Sequence, residues 1–165
     1  MDIAMVGLGR MGANMTRRLA NGGARVRAYD VSAVARAALQ DEALAQTCDS
    51  LEALVAAPPA PRIVWLMLPS GEISEQSIAQ LLPLLQPGDT LVDGANAYYK
   101  DAIRRARECA TRGIEAAFRE GARRGAARVF ALGHVAIPIA AADGEVLKLD
   151  EGNGGGAQSV VPRRQ

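Results

Sequence analysis

A four-residue apolar run that empties into three spaced glycines limits this chain's fold more than any other feature. Ile3-Ala4-Met5-Val6 shows no polar alternation, the pattern of a strand buried on both faces in a parallel sheet. Gly7-Leu8-Gly9-Arg10-Met11-Gly12 follows at once and fits G-x-G-x-x-G. In such a turn the first glycine lets the chain leave the strand sharply. The second leaves room for a pyrophosphate against the backbone, and the third lets the following helix pack closely on the strand. Met11 to Ala20 reads as that helix, with Met15 and Leu19 one turn apart, and Asn21-Gly22-Gly23 stops it. Its N-terminus aims unpaired N–H groups and a positive dipole end at phosphates. The competing reading is a tight strand-to-helix turn that binds nothing.

The same alternation continues. Val26 to Tyr29 reads as a second strand closed by Asp30, and Ala33 to Ala45 as a helix. Asp49 or Ser50 can cap a short helix over Leu51 to Ala57, which Pro58-Pro59-Ala60-Pro61 breaks. Ile63 to Leu68 is the most apolar stretch and reads as a central strand, followed by a Pro69-Ser70-Gly71 loop. Ile73 to Leu85 is helical in pattern with a kink at Pro83, Thr90 to Asp93 is a further strand, and a helix runs from Tyr99 or Lys100 to about Arg112. Gly113 ends it. Such order predicts an α/β fold, a doubly wound, mostly parallel sheet of the Rossmann type. Ligands on such sheets bind beyond the carboxyl ends of the strands.

Asp30 lies eighteen residues past Gly12 at the tip of the second strand. A carboxylate there accepts hydrogen bonds from ribose hydroxyls and repels a 2′-phosphate. Val31, Ser32 and Ala33 follow it, with no arginine to hold that phosphate. The cofactor expected is therefore NAD or NADP, with NAD favoured. Asp30 could instead be a solvated turn residue or a helix cap.

The totals exclude other classes. Net charge is +1 and aromatics make up 4% of the 165 residues, so nucleic acid is not an expected partner. No apolar run reaches the ~20 residues that cross a bilayer, so no membrane is expected either. Cys48 and Cys109 lack metal-ligand spacing and read as free thiols in a reducing compartment. The first strand begins at Ile3, so no signal peptide is expected, and the location implied is cytoplasmic. No metal site is expected, and the oligomeric state is not readable.

Four segments occur in order: Gly7 to Met15; Trp65-Leu66-Met67-Leu68-Pro69-Ser70-Gly71; Asp93-Gly94-Ala95-Asn96-Ala97-Tyr98-Tyr99-Lys100-Asp101; and Ile103-Arg104-Arg105. Together they resemble the N-terminal domain of decarboxylating 6-phosphogluconate dehydrogenase, over about Met1 to Ile114. The likeness is closest to the branch with G-L-G-R-M-G and an acidic residue after the second strand. The resemblance implies oxidation of 6-phosphogluconate at C3 by hydride transfer, then loss of CO₂ to give ribulose 5-phosphate, a pentose phosphate pathway reaction. It implies cofactor contacts from Gly7, Gly9, Arg10, Met11 and Gly12, from Asp30, and from Leu68 and Pro69 in the passing loop. Met11 matches a methionine near the nicotinamide; the alternative is a core residue at the helix start. Asn96 matches an asparagine between substrate and nicotinamide; the alternative is a helix cap.

Departures from the family pattern accompany the match. Ala95 and Ala97 stand where the family usually has a glycine and a serine. After Gly113 the family continues with a strand and a Ser-Gly-Gly substrate loop, then a lysine base and a glutamate acid. Residues 114–165 are read instead as a divergent tail, about half Ala, Gly and Arg from Glu115 on, either an out-of-frame reading or a replacement. Domain 1–113 is thus expected to lack its next strand and leave a sheet edge unpaired. Val135 to Ile139 could add an edge strand. Lys148 reads as a surface lysine and His134 as structural or exposed. No catalytic residue is identified in the chain. The reading is an NAD(P)-binding dehydrogenase domain incomplete as a catalyst; the alternatives are a non-catalytic NAD(P)-binding or sensing module and a structural remnant.

Overall fold

A computed structural model describes residues 1–97, 99–120 and 128–132. Strands and helices alternate as β1 (Asp2–Val6), α1 (Arg10–Asn21), β2 (Arg25–Tyr29), α2 (Ala33–Asp41), β3 (Gln46–Thr47), α3 (Leu51–Ala56), β4 (Ile63–Leu66), α4 (Glu72–Leu81), β5 (Thr90–Ala97), α5 (Tyr99–Thr111), β6 (Glu115–Glu120) and β7 (Arg128–Leu132). Among the described residues the strands form one seven-stranded sheet in the order β3-β2-β1-β4-β5-β6-β7. Every pairing is parallel except β6 with β7. This is the doubly wound, mostly parallel sheet expected from the alternation.

Register explains the unbroken apolar strands. Ala28, Met5, Trp65, Val92 and Ala117 stand side by side across five strands. That face packs against Met15 and Leu19 of α1 and Leu39 of α2. Ala4, Val64, Leu91 and Ala116 form the matching row on the other face. There they meet Leu54 of α3, Ile78 and Leu81 of α4, and Ala106 and Cys109 of α5. Both faces are covered, so neither parity of side chain can be polar in the central strands.

Local signals set the ends. Ser50 caps α3 by accepting from the Ala53 N–H at 3.1 Å, and Ser32 caps α2 through the Ala35 N–H at 3.3 Å. Pro83 sits in a 3-10 turn, Leu82–Leu84, that follows α4, which is the expected kink. Gly113 has φ +69 and turns the chain from α5 into β6. α2 stops at Asp41, short of Ala45, because Ala43 takes φ 55 and the chain turns into the two-residue β3. β5 runs four residues past Asp93, with a pairing irregularity against β6 between Asp93 and Ala97.

The expectation of a missing strand is corrected. Glu115–Glu120 pairs with β5 in parallel, and β7 pairs antiparallel beyond it. The edge of β5 is therefore not open. The reason is chemical: Ile114, Ala116 and Ala117 are buried, and small side chains suffice where α5 lies close over the sheet. Val135 to Ile139, His134 and Lys148 lie outside the described residues.

α1 approaches the sheet more closely than any side chain permits at Gly12. A Cβ there would run into the Gly7 carbonyl oxygen, and would lie 3.2 Å from the Met67 Cβ. Gly12→Ala should therefore cost stability at the upper end of the range of about 1–3 kcal/mol seen for overpacking. Urea unfolding checks this: a midpoint equal to the parent's would show that α1 can move away freely.

Candidate functional site

The strand order places the end of β1 at the reversal point of the sheet. β2 and β3 lie to one side of it, β4 and β5 to the other. A crevice forms at the carboxyl ends at such a reversal. Gly7, the start of α1, the Met67-Leu68-Pro69 segment after β4 and Gly94 in β5 all meet there.

The three glycines of the turn differ in what requires them. Gly7 has φ +93, and a Cβ on it would lie 2.5 Å from the Met67 carbonyl oxygen. Gly7 and Gly12 are thus demanded by the fold itself. Gly9, the residue capping α1, has φ −59, and a Cβ on it would meet no protein atom within 4 Å. Backbone conformation and packing both permit a side chain at Gly9. Neither conformation nor packing accounts for its bareness, which leaves room for a group drawn against the backbone. The first N–H groups of α1 have no partner within the helix. The turn therefore offers donors, positive dipole and open space together, which suits a pyrophosphate.

Asp30 sits beside this turn. Its Oδ2 accepts from the Leu8 N–H at 2.6 Å and its Oδ1 from the Ser32 N–H at 2.8 Å. Arg36, on α2, donates to the Asp30 main-chain oxygen at 2.6 Å and to Asp49 Oδ1 at 3.3 Å. Asp30 does not cap α2, a task that Ser32 performs. Each carboxylate oxygen keeps a further lone pair for a hydroxyl.

Across the crevice, Ser74 Oγ donates to the Pro69 carbonyl at 2.8 Å and ties the Pro69-Ser70-Gly71 loop to α4. Gly71, at φ +98, ends that loop. Next to Ser74, Glu75 accepts from Arg105 Nη2 at 2.7 Å and from Arg104 Nη2 at 2.5 Å. Arg105 is 1% exposed and also donates to the buried Asp93 carboxylate at 2.6 Å. Burial alone would push the Glu75 carboxyl up, but the hydrogen bonds and charges of Arg104 and Arg105 leave it below its ordinary value. This cluster joins α4, α5 and β5, and so fixes both the loop before α4 and the strand that carries Gly94. A Cβ on Gly94 would run into the Met67 sulfur and lie 2.9 Å from Trp65 Nε1.

Of the residues singled out from sequence, Gly7, Gly9, Arg10, Met11, Gly12 and Asp30 gather at the end of β1. Leu68 and Pro69 follow β4. Met11 is 58% exposed, which removes its reading as a core residue. Asn96 lies within β5, not after it, and its side chain is outside the described set. The Leu8 N–H, Arg36 and the Glu75–Arg105–Asp93 cluster were not foreseen. Asp93 and Arg105 stand in quoted motifs, but their pairing across a strand and a helix has no local signature. Both cysteines are free, and burial pushes the Cys109 thiol up to about 11. Among the described residues no group of His, Cys, Asp and Glu could hold a metal, and no helix is long and apolar enough to cross a membrane.

Comparison with known proteins gives the same site a lineage. The family described as the NAD binding domain of 6-phosphogluconate dehydrogenase matches residues 2–126, which carries the match past Gly113. The NAD⁺-dependent, decarboxylating 6-phosphogluconate dehydrogenase of Haloferax volcanii is 38% identical over 109 residues, 66% of this chain and 36% of that one. The decarboxylating enzyme of Drosophila melanogaster is 38% identical over 117 residues, 68% of this chain and 24% of its own. The chain thus spans about a quarter to a third of the length of these relatives. Among solved structures, Plasmodium falciparum 6-phosphogluconate dehydrogenase superposes with a TM-score of 0.66 at 23% identity, covering 72% of this chain and 27% of that one. Mycobacterium tuberculosis 3-hydroxyisobutyrate dehydrogenase gives 0.64 at 26% identity, covering 72% and 40%.

The ion cluster behind the crevice is open to test. Arg105→Met removes the cation from a buried carboxylate and from Glu75 together. Breaking a buried pair in this way costs about 3–5 kcal/mol. Thermal and urea unfolding should show that loss; a variant as stable as the parent would demote the cluster to a surface contact.

Proposed function

The chain belongs to the family of the NAD-binding domain of 6-phosphogluconate dehydrogenase, and from that premise we propose that it holds NAD in preference to NADP. In this reading it is the nucleotide-binding part of a decarboxylating 6-phosphogluconate dehydrogenase working in the cytoplasm. The observation that carries dinucleotide binding is Gly9, while the preference rests on Asp30. Gly9 is the one glycine of the turn whose missing side chain the fold does not require.

The backbone of Gly9, Arg10, Met11 and Gly12 takes the pyrophosphate, with the α1 dipole supporting its charge. Asp30 accepts the adenosine ribose hydroxyls and repels a 2′-phosphate. Arg36 is drawn toward the Asp30 main chain and Asp49. Leu68 and Pro69 wall the crevice on the β4 side. By resemblance, exposed Met11 and Asn96 are assigned to the nicotinamide, and Asn96 to 6-phosphogluconate as well. The nicotinamide, when bound, supplies the hydride acceptor. The chain's own residues bind and orient. No residue of this chain matches the family's lysine base or glutamate acid, so binding and turnover are expected to separate.

Titration calorimetry with NAD and NADP, or the fluorescence of the reduced nicotinamide on titration with NADH and NADPH, tests the binding site. Gly9→Val should abolish NAD binding while unfolding within about 0.5 kcal/mol of the parent, as for a surface substitution. The parent should bind NAD more tightly than NADP. A Gly9→Val variant with parental affinity would place the cofactor elsewhere.

A steady-state assay of the pure chain with 6-phosphogluconate and either cofactor separates binding from catalysis. No reduced cofactor should accumulate, because proton transfer at the sugar lacks its acid and base. Sustained turnover would mean that residues of this chain supply both.

A further inference from the structure

Asp30 is the residue on which the proposed NAD preference turns, and its carboxylate is already at work before any ligand arrives. One oxygen holds the Leu8 N–H at 2.6 Å, inside the glycine turn and twenty-two residues back along the chain. The other holds the Ser32 N–H at 2.8 Å, at the start of α2. Leu8 is 5% exposed, so its N–H would be left in a dry environment without that acceptor. Arg36 donates to the Asp30 carbonyl at 2.6 Å and holds the main chain that carries the carboxylate.

We infer that Asp30 is a positioning residue for the glycine turn, fastening it to the end of β2, in addition to its role toward the ribose. The ribose role rests on the proposed function; the fastening does not. Geometry separates the two tasks. The Leu8 N–H precedes Gly9, so it lies outside the set of α1 N–H groups offered to a pyrophosphate. By engaging it, Asp30 sets where Gly9 and those donors stand. Removing the carboxylate therefore does more than admit a 2′-phosphate. It loosens the phosphate cradle for every ligand that uses it, and specificity cannot be reversed at this position unless an acceptor for Leu8 is kept.

Two variants and two readouts decide this. Asp30→Ala removes both acceptors, and Asp30→Asn keeps one oxygen. Amide hydrogen exchange of ligand-free protein reads the fastening directly, with Val6 as internal reference. Leu8 exchange should quicken at least about tenfold in Asp30→Ala, as expected for a lost hydrogen bond to a charged group, and less in Asp30→Asn. Titration with NAD, NADP and nicotinamide mononucleotide reads the consequence. The mononucleotide has a phosphate but no adenosine ribose, so a mere ribose contact leaves its affinity untouched. All three affinities should fall in Asp30→Ala. Unchanged Leu8 exchange, with mononucleotide binding kept and NADP binding improved, would overturn the inference. If Asp30→Ala does not fold, the Leu8 amide of the parent decides alone: protection comparable to that of Val6 upholds the fastening, and exchange at the rate of an unbonded amide overturns it. A parent that binds none of the three defeats the proposed function, and the exchange arm still decides the fastening.

Discussion

The site depends on a close approach between two pieces of backbone. α1 lies so near the end of β1 that no side chain fits at Gly12, and β4 comes so near that none fits at Gly7. That approach determines where the helix N-terminus points, and with it the site. Met67 is the shared surface: its carbonyl lies against Gly7, its Cβ against Gly12, and its sulfur against Gly94. Three strand ends are thus drawn together around one residue that sequence inspection treats only as part of an apolar run.

The rest of the crevice is held by polar groups on its two flanks. Asp30 tethers the turn from the β2 side, while Ser74 and the Glu75–Arg105–Asp93 cluster tether the loop and strand from the α4 and α5 side. Burial makes the second group costly to break and exacting in geometry, since a guanidinium in a dry site needs its acceptors placed correctly. The two flanks of the crevice are therefore fixed by different means, one by backbone N–H groups and one by ion pairs.

The legible part of the fold was the part with strong local chemistry. The run Ile3 to Val6, the glycine turn, the Ser50 cap, the Pro83 kink and the Gly113 turn are each written in a few adjacent residues. β6 was missed because Ala116 and Ala117 carry little apolar weight, although they are buried like their larger neighbours in β5. β3 was missed because two residues make no pattern at all. In the site, Gly9 and Asp30 were readable by type and spacing, but the Leu8 contact was not, because it uses a backbone N–H that every residue possesses. Arg36 stood six residues from Asp30 and gave no sign of reaching back to its carbonyl. Pairings that close only in three dimensions left no trace in order or composition.

The open space at Gly9 bears on how such a chain would change over time. Gly7 and Gly12 are guarded by folding, so substitutions there would be removed whether or not anything binds. Gly9 has no such guardian. In a lineage that had ceased to use its ligand, Gly9 would be free to drift while its two neighbours stayed fixed, and the protein would fold as before. A side chain appearing at this position would thus leave the domain standing and close only the space in front of the helix.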